Sequence, residues 1–217
     1  MTIPSMLVSL LCSRLDPGAR DWLRATLEET TAPFDGRTFR AEWARMGRRL
    51  GSSPVIPMPE EAAQLQAVGL WPFVGWGVDE CGRAALLLQA LRVAEPDTHG
   101  ALVDSLYLRG TIRERQALLR SLAYLPKADR FNEVAIQACR THVASVFEAL
   151  AIGNPYPFRY LPRAEFDQMV LKALSFRVSP ERIVGLTERL STDLTRPRAT
   201  SGPRWGSEVT RVALRAL

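Results

Sequence analysis

Apolar residues recur along this chain at intervals of three and four, and no stretch shows a convincing alternation of two. That period predicts helices and no sheet. A first helix is expected over Ser5–Leu15. Asp16-Pro17 then supplies an N-cap and a proline at the first helical position, opening a helix with Trp22, Leu23 and Leu27 inward. Asp35 can cap a third helix, in which Phe39, Trp43, Met46 and Leu50 follow at spacings of 4, 3 and 4. Gly51-Ser52-Ser53-Pro54 ends it.

After a Pro-rich loop, a short helix is expected from Pro59 to Val68, followed by an ordered aromatic turn from Gly69 to Gly77. Trp71, Phe73 and Trp76 read there as packing residues before they read as a ligand cleft. Ala84, Leu87, Leu88 and Leu91 mark a strongly apolar helix, with Asp79 and Arg83 as a surface ion pair at its start. A helix through Leu102, Leu106 and Tyr107 comes next. Thr111 and Glu114 form a capping-box pattern for a helix carrying Leu118, Leu119 and Leu122.

One long helix is expected from Phe131 to Ile152, stopped by Gly153 and by Asn154-Pro155-Tyr156-Pro157. Phe166, Met169, Val170, Ala173 and Leu174 define another, and Ser179-Pro180-Glu181 starts a last one reaching Leu190. Short connections favour antiparallel neighbours. The expectation is an all-α fold, an irregular bundle or short stack of antiparallel helix pairs. It occupies residues 1–190 as a single domain, followed by an Arg/Pro/Ser-rich tail at 191–217 with a short terminal helix.

Charge changes this picture little. The formal net charge of the 217 residues is +5, but Arg196 to Leu217 holds five arginines and one acid, so residues 1–195 sit near +1. A nucleic-acid binder concentrates basic charge on its folded body, and none is expected as a partner. No apolar run approaches the roughly 18 residues that span a bilayer, and the tail has too few apolar residues for stable membrane insertion. Three cysteines, an odd number without a CxxC pair, suit a reducing compartment. A cytoplasmic location is the resulting expectation.

The segment 132–190 resembles the EboA-domain family. The blocks that carry the likeness are AIQACRTH at 135–142, VFEALAIGNPYP at 146–157, FDQMVLKAL at 166–174 and RIVGLTERL at 182–190. Weaker agreement reaches upstream through 112–125 and 79–88 to 39–51. This chain has His142 and Asp167 where the family has Asn. The resemblance implies a protein of a gene cluster associated with traffic of secondary-metabolite intermediates, beside a membrane prenyltransferase, a metal-dependent hydrolase and isomerase-like barrels. It brings no catalytic motif.

Candidate chemistry clusters on the two helices after residue 130. Arg140, Thr141 and Glu148 share the long helix, where they could form a polar strip for an anionic or hydroxylated metabolite. Gln168 and Lys172 are i, i+4 on the next helix, and Lys172 is one of two lysines beside 26 arginines. Lysine can lose its proton when buried and then act as a base or amine nucleophile. Asn154 and Tyr156 sit in the turn between those helices, as a stiff connection or as a pocket rim. Cys139 and His142, at i, i+3, are too few for a metal site, and neither a metal nor a cofactor is expected.

Three readings follow. The first is a cytoplasmic accessory protein of a secondary-metabolite pathway, binding an intermediate or neighbouring pathway proteins. Arg140, Thr141, Asn154, Tyr156 and Gln168 would make the contacts, in a groove between the helices at 131–152 and 162–177. The second is a cofactor-free biosynthetic enzyme with His142, Glu148 and Lys172 doing acid–base work. The third is a helical scaffold without a small-molecule site.

Overall fold

The helix at residues 78–93 is buried almost all the way round: 13 of its 16 residues are inaccessible. A helix without a polar face must be enclosed by others, and the rest of the fold does this. In the computed structural model, which describes residues 2–30 and 33–189, eleven α-helices follow one another. They are α1 (Ile3–Cys12), α2 (Pro17–Glu29), α3 (Gly36–Leu50), α4 (Pro59–Ala67), α5 (Val78–Val93), α6 (His99–Arg109), α7 (Ile112–Ser121), α8 (Asn132–Arg140), α9 (Ala144–Ala151), α10 (Tyr156–Tyr160) and α11 (Arg163–Ser175). The described residues contain no strand, so the fold is all-α. Helices α1, α2, α3 and α7 pack on α5; α7 also carries α6 and α9; α8, α9 and α11 pack on one another.

Most helix starts obey local capping. Asp16 accepts from Ala19 N–H at 2.9 Å and Asp35 from Arg37 N–H at 2.9 Å. Thr111 and Glu114 close the expected capping box. The first helix begins earlier than its apolar pattern indicates, at Ile3, because Thr2 and Ser5 form a capping box of their own.

Three elements differ from the sequence expectation. The long helix over 131–152 is broken at 141–143 into α8 and α9. Thr141 turns to an extended conformation (φ −61°, ψ 145°), and its hydroxyl oxygen accepts from Val143 N–H at 3.3 Å. This local bond competes with the helical ladder. The prolines at 155 and 157 do not merely stop a helix: they open the five-residue α10, where a missing N–H costs nothing. Finally, Ser179-Pro180-Glu181 yields a 3-10 turn over Pro180–Arg182. Gly185 follows in the left-handed region (φ +73°), and residues 186–189 are helical. A Cβ at Gly185 would lie 2.1 Å from the Phe158 ring, so the close approach needs glycine. The expected tail and terminal helix lie outside the described residues.

Asp79 and Arg83 are also placed differently. They are 1% and 3% exposed and form a buried pair at 2.7 Å rather than a surface one. Because α5 is the central helix, its first turn is enclosed. Arg113 of α7 also pairs with Asp79, and Arg120 reaches Glu80 at 2.8 Å. Glu80 accepts from Gly77 N–H at 2.7 Å. Burial raises the Glu80 pKa, against the opposing pull of Arg120. These groups tie the first turn of α5 to α7 and to the 69–77 loop, where Phe73 and Trp76 stack at 5.3 Å on the core and Trp71 is exposed.

Candidate functional site

Helices α8 and α11 face each other across an open groove of about 280 Å³. One turn of α8 contributes Ile136, Cys139 and Arg140, spaced i, i+3, i+4. The facing wall is Glu165, Gln168 and Lys172, spaced i, i+3, i+7 on α11. Both sets are single helical faces, as the 3.6 period requires. Inward residues on the same helices, Ala135 and Ala138 on α8 and Phe166, Met169, Val170 and Ala173 on α11, fix both walls to the core.

Lys172 lies where α11 meets the end of α8. Its ammonium donates to the carbonyl of Cys139 at 2.7 Å and to that of Thr141 at 2.5 Å. It also lies 5.1 Å from the centre of the Phe147 ring and 5.7 Å from that of Phe176. A cation on the last carbonyls of a helix is favourable, since these lack intrahelical partners and carry the negative end of the dipole. The side chain is therefore committed to holding the end of α8. Burial pushes the Cys139 thiol up to about 12, outweighing the nearby positive charges of Lys172 and Arg140. Cys139 thus presents a neutral thiol, a weak nucleophile, and serves as part of the less polar wall with Ile136.

Three further polar side chains line the groove. Arg140 and Gln168 are exposed and Glu165 is half-buried, and none of the three has a side-chain bond within the described residues. A guanidinium, a carboxylate and an amide thus line one concave surface beside Ile136 and Cys139, a more polar lining than most small-molecule sites have. Such a set can hold a polar metabolite by charge-assisted bonds.

The groove brings together Arg140, Gln168 and Lys172 from the residues singled out in the sequence. The others lie elsewhere. His142 is exposed on the 141–143 link, beyond the end of α8, so it no longer shares a helical face with Cys139. Glu148 is half-buried on α9, and the break at 141–143 removes the common face with Thr141 that a continuous helix would give. Thr141 contributes a carbonyl to Lys172 and a hydroxyl to its own turn.

Asn154 and Tyr156 face inward. The Asn154 amide donates to the carbonyls of Leu119 at 2.9 Å and Ala149 at 3.0 Å, while its oxygen accepts from Tyr156 N–H at 2.9 Å. Tyr156 is fully buried, and its hydroxyl donates to the Ala128 carbonyl at 2.8 Å. These residues join α7, α9 and α10 and do not line the groove. Sequence reasoning missed Ile136 and Glu165. Both could have been found by extending the helical faces of Arg140 and Gln168 one turn back.

No helix of the described residues is long and apolar enough to cross a membrane. No curated protein and no solved structure matches the chain in a direct comparison. One family model does, the one described as metabolite traffic protein EboA, and it matches residues 3–205. The match begins well before the motifs at 39–51 and takes in both helices of the groove. The chain belongs to the EboA family.

Proposed function

We propose that this protein is a cytoplasmic accessory component of a secondary-metabolite pathway and holds a pathway intermediate in the groove between α8 and α11. The observation that carries the reading is the unpaired set Arg140, Glu165 and Gln168 beside Ile136 and the neutral Cys139 thiol. A family description of metabolite traffic fits a binding surface of this kind. Lys172 anchors the end of the site, and Arg140 and Gln168 make the reversible contacts. Neither His142 nor Glu148 lines this groove with Lys172, which favours a binding role for it over acid–base catalysis. Neighbouring pathway enzymes are the partners that would load and unload the groove.

Native mass spectrometry of protein purified gently from its producing cells tests the reading. A small molecule retained by the native chain and lost from Arg140→Ala and Gln168→Ala, with both variants folded, is the expected result. A bare polypeptide, or a ligand that both variants retain, overturns it. Cell fractionation tests the location: recovery in the membrane or exported fraction would exclude a cytoplasmic role.

A further inference from the structure

A second concave surface lies between α3 and α6, remote in sequence from the α8–α11 groove. Its volume is about 410 Å³, within the range of small-molecule sites. Its walls are Phe34, Arg40, Leu102, Ser105 and Arg109. On α6 the contributors Ala101, Leu102, Ser105 and Arg109 fall at i, i+1, i+4 and i+8, one face of the helix. Opposite, Arg40 reaches across and donates to the Ser105 hydroxyl oxygen at 2.7 Å. That leaves the Ser105 O–H free to donate elsewhere.

Two features give the surface its chemistry. The first is charge. Neither Arg40 nor Arg109 has a carboxylate partner among the described residues, and Arg109 has no side-chain bond at all there. Helix α3 carries five arginines and a single acid, Glu42, although residues 1–195 as a whole are nearly balanced. Only Arg40 of these lines the groove, Arg45 being paired with Glu42 and Asp35 capping the helix, so the charge at the groove is that of Arg40 and Arg109, which draws in anions. The second feature is an apolar floor. A Cβ at Gly36 would meet both the Phe34 ring at 3.7 Å and the Arg40 guanidinium at 3.8 Å, and the Phe34 ring continues into Phe39 at 5.6 Å. Leu102 completes it from α6.

We propose that the α3–α6 groove binds a phosphate monoester with an apolar, ring-sized body. Two unpaired guanidinium charges match the charge of nearly −2 that a phosphate monoester carries near neutral pH. Planar guanidinium groups make paired bonds to phosphate oxygens, and the Ser105 hydroxyl supplies a further donor. The body rests on Phe34 and Leu102. Thr98 at the rim adds no donor, because its hydroxyl already donates to the Glu95 carbonyl at 2.7 Å.

Phenyl phosphate, phenol and inorganic phosphate are the probes, titrated into the full chain and followed by amide chemical shifts. Phenyl phosphate should move the amides of residues 34–40 and 98–109, and inorganic phosphate should bind more weakly. Phenol should not move these amides over the same range. Arg40→Gln and Arg109→Gln should each weaken phenyl phosphate by about tenfold or more, as loss of a charge-assisted bond implies. Both arginines are exposed, so the variants should keep the native melting curve. Arg140→Gln, in the other groove, should leave phenyl phosphate binding unchanged. The proposal fails if the arginine variants bind normally or if phenol binds as well as phenyl phosphate. It also fails if inorganic phosphate binds equally tightly, which would mark an adventitious anion site only.

Discussion

The ammonium of Lys172 on α11 is bonded to the carbonyl oxygen of Thr141, 31 residues earlier, at 2.5 Å. This bond and its companion to Cys139 join the two walls of the α8–α11 groove and meet the carbonyls at the end of α8. The lysine that looks in the sequence like a candidate amine nucleophile has its ammonium bonded, in the fold, to two carbonyls at the end of α8.

Lys172→Met should therefore destabilise the protein by about 1–3 kcal/mol, the cost of leaving part-buried carbonyls without a charged donor. Hydrogen exchange should rise at amides 139–145 before it rises in α5. Denaturant titration with exchange mass spectrometry checks both. Unchanged protection at 139–145 would mean that the turn at Thr141 holds the break unaided.

Asn154 and Tyr156 should separate cleanly. Asn154→Ala strands the carbonyls of Leu119 and Ala149 and the Tyr156 amide, and should cost about 2–4 kcal/mol. Tyr156→Phe removes one hydroxyl donor and should cost about 1 kcal/mol. Urea midpoints of the two variants decide. If either residue instead contacts ligand, the variant will lose the retained metabolite while keeping its stability.

The buried charges at the start of α5 should be strongly coupled. Asp79→Asn leaves Arg83, which is 3% exposed, without its carboxylate, and should cost about 3–5 kcal/mol. Arg83→Met should cost less, because Asp79 keeps Arg113 as a partner. The double variant should cost much less than the two together, because it leaves no unpaired buried charge between these two sites. A double-mutant cycle in denaturant measures this, and simple additivity would contradict it.

One ion pair gives a pH signature. Arg14 of the α1–α2 turn bonds both oxygens of Glu61, at 2.8 and 2.5 Å. That bond, helped by the Met58 amide, holds the Glu61 carboxyl below its ordinary value of 4.5. A carboxyl whose pKa is depressed by folding adds stability that is present above the unfolded value. The contribution is lost as pH falls through the folded value. Stability carried by this pair should thus be intact above about pH 4.5 and decline below it. Glu61→Gln should lower stability near neutral pH and flatten the acid limb. Thermal melts of both proteins from pH 3 to 7 check the slope.

The helices themselves were largely legible because their signals are local. The Phe39, Trp43, Met46 and Leu50 stripe, the Asp16 and Asp35 caps and the Thr111–Glu114 box act within one or two turns. A chain can be read for these without knowing its fold. The all-α class follows from patterns of that kind; the family membership rests instead on the blocks at 135–142, 146–157, 166–174 and 182–190 and on the match over residues 3–205. The placing of Arg140 opposite Gln168 and Lys172 is of another kind, because it rests on the packing of α11 on α8, which α9 and α10 separate along the chain.

What the tertiary structure alone decided are relationships between distant residues. Residues 131–152 form two helices, and the carbonyls at the break are met by Lys172 of α11, so Thr141 and Glu148 do not share a face. Whether Asp79 is a surface or a buried charge depends on the helices that enclose α5, and on Arg113, 34 residues away. Whether Tyr156 rims a pocket or fills the core depends on the carbonyl of Ala128. Helix formation is governed by neighbours three and four positions apart, which the sequence displays. The burial and partners of a polar group are set by whichever side chains the packed fold brings against it.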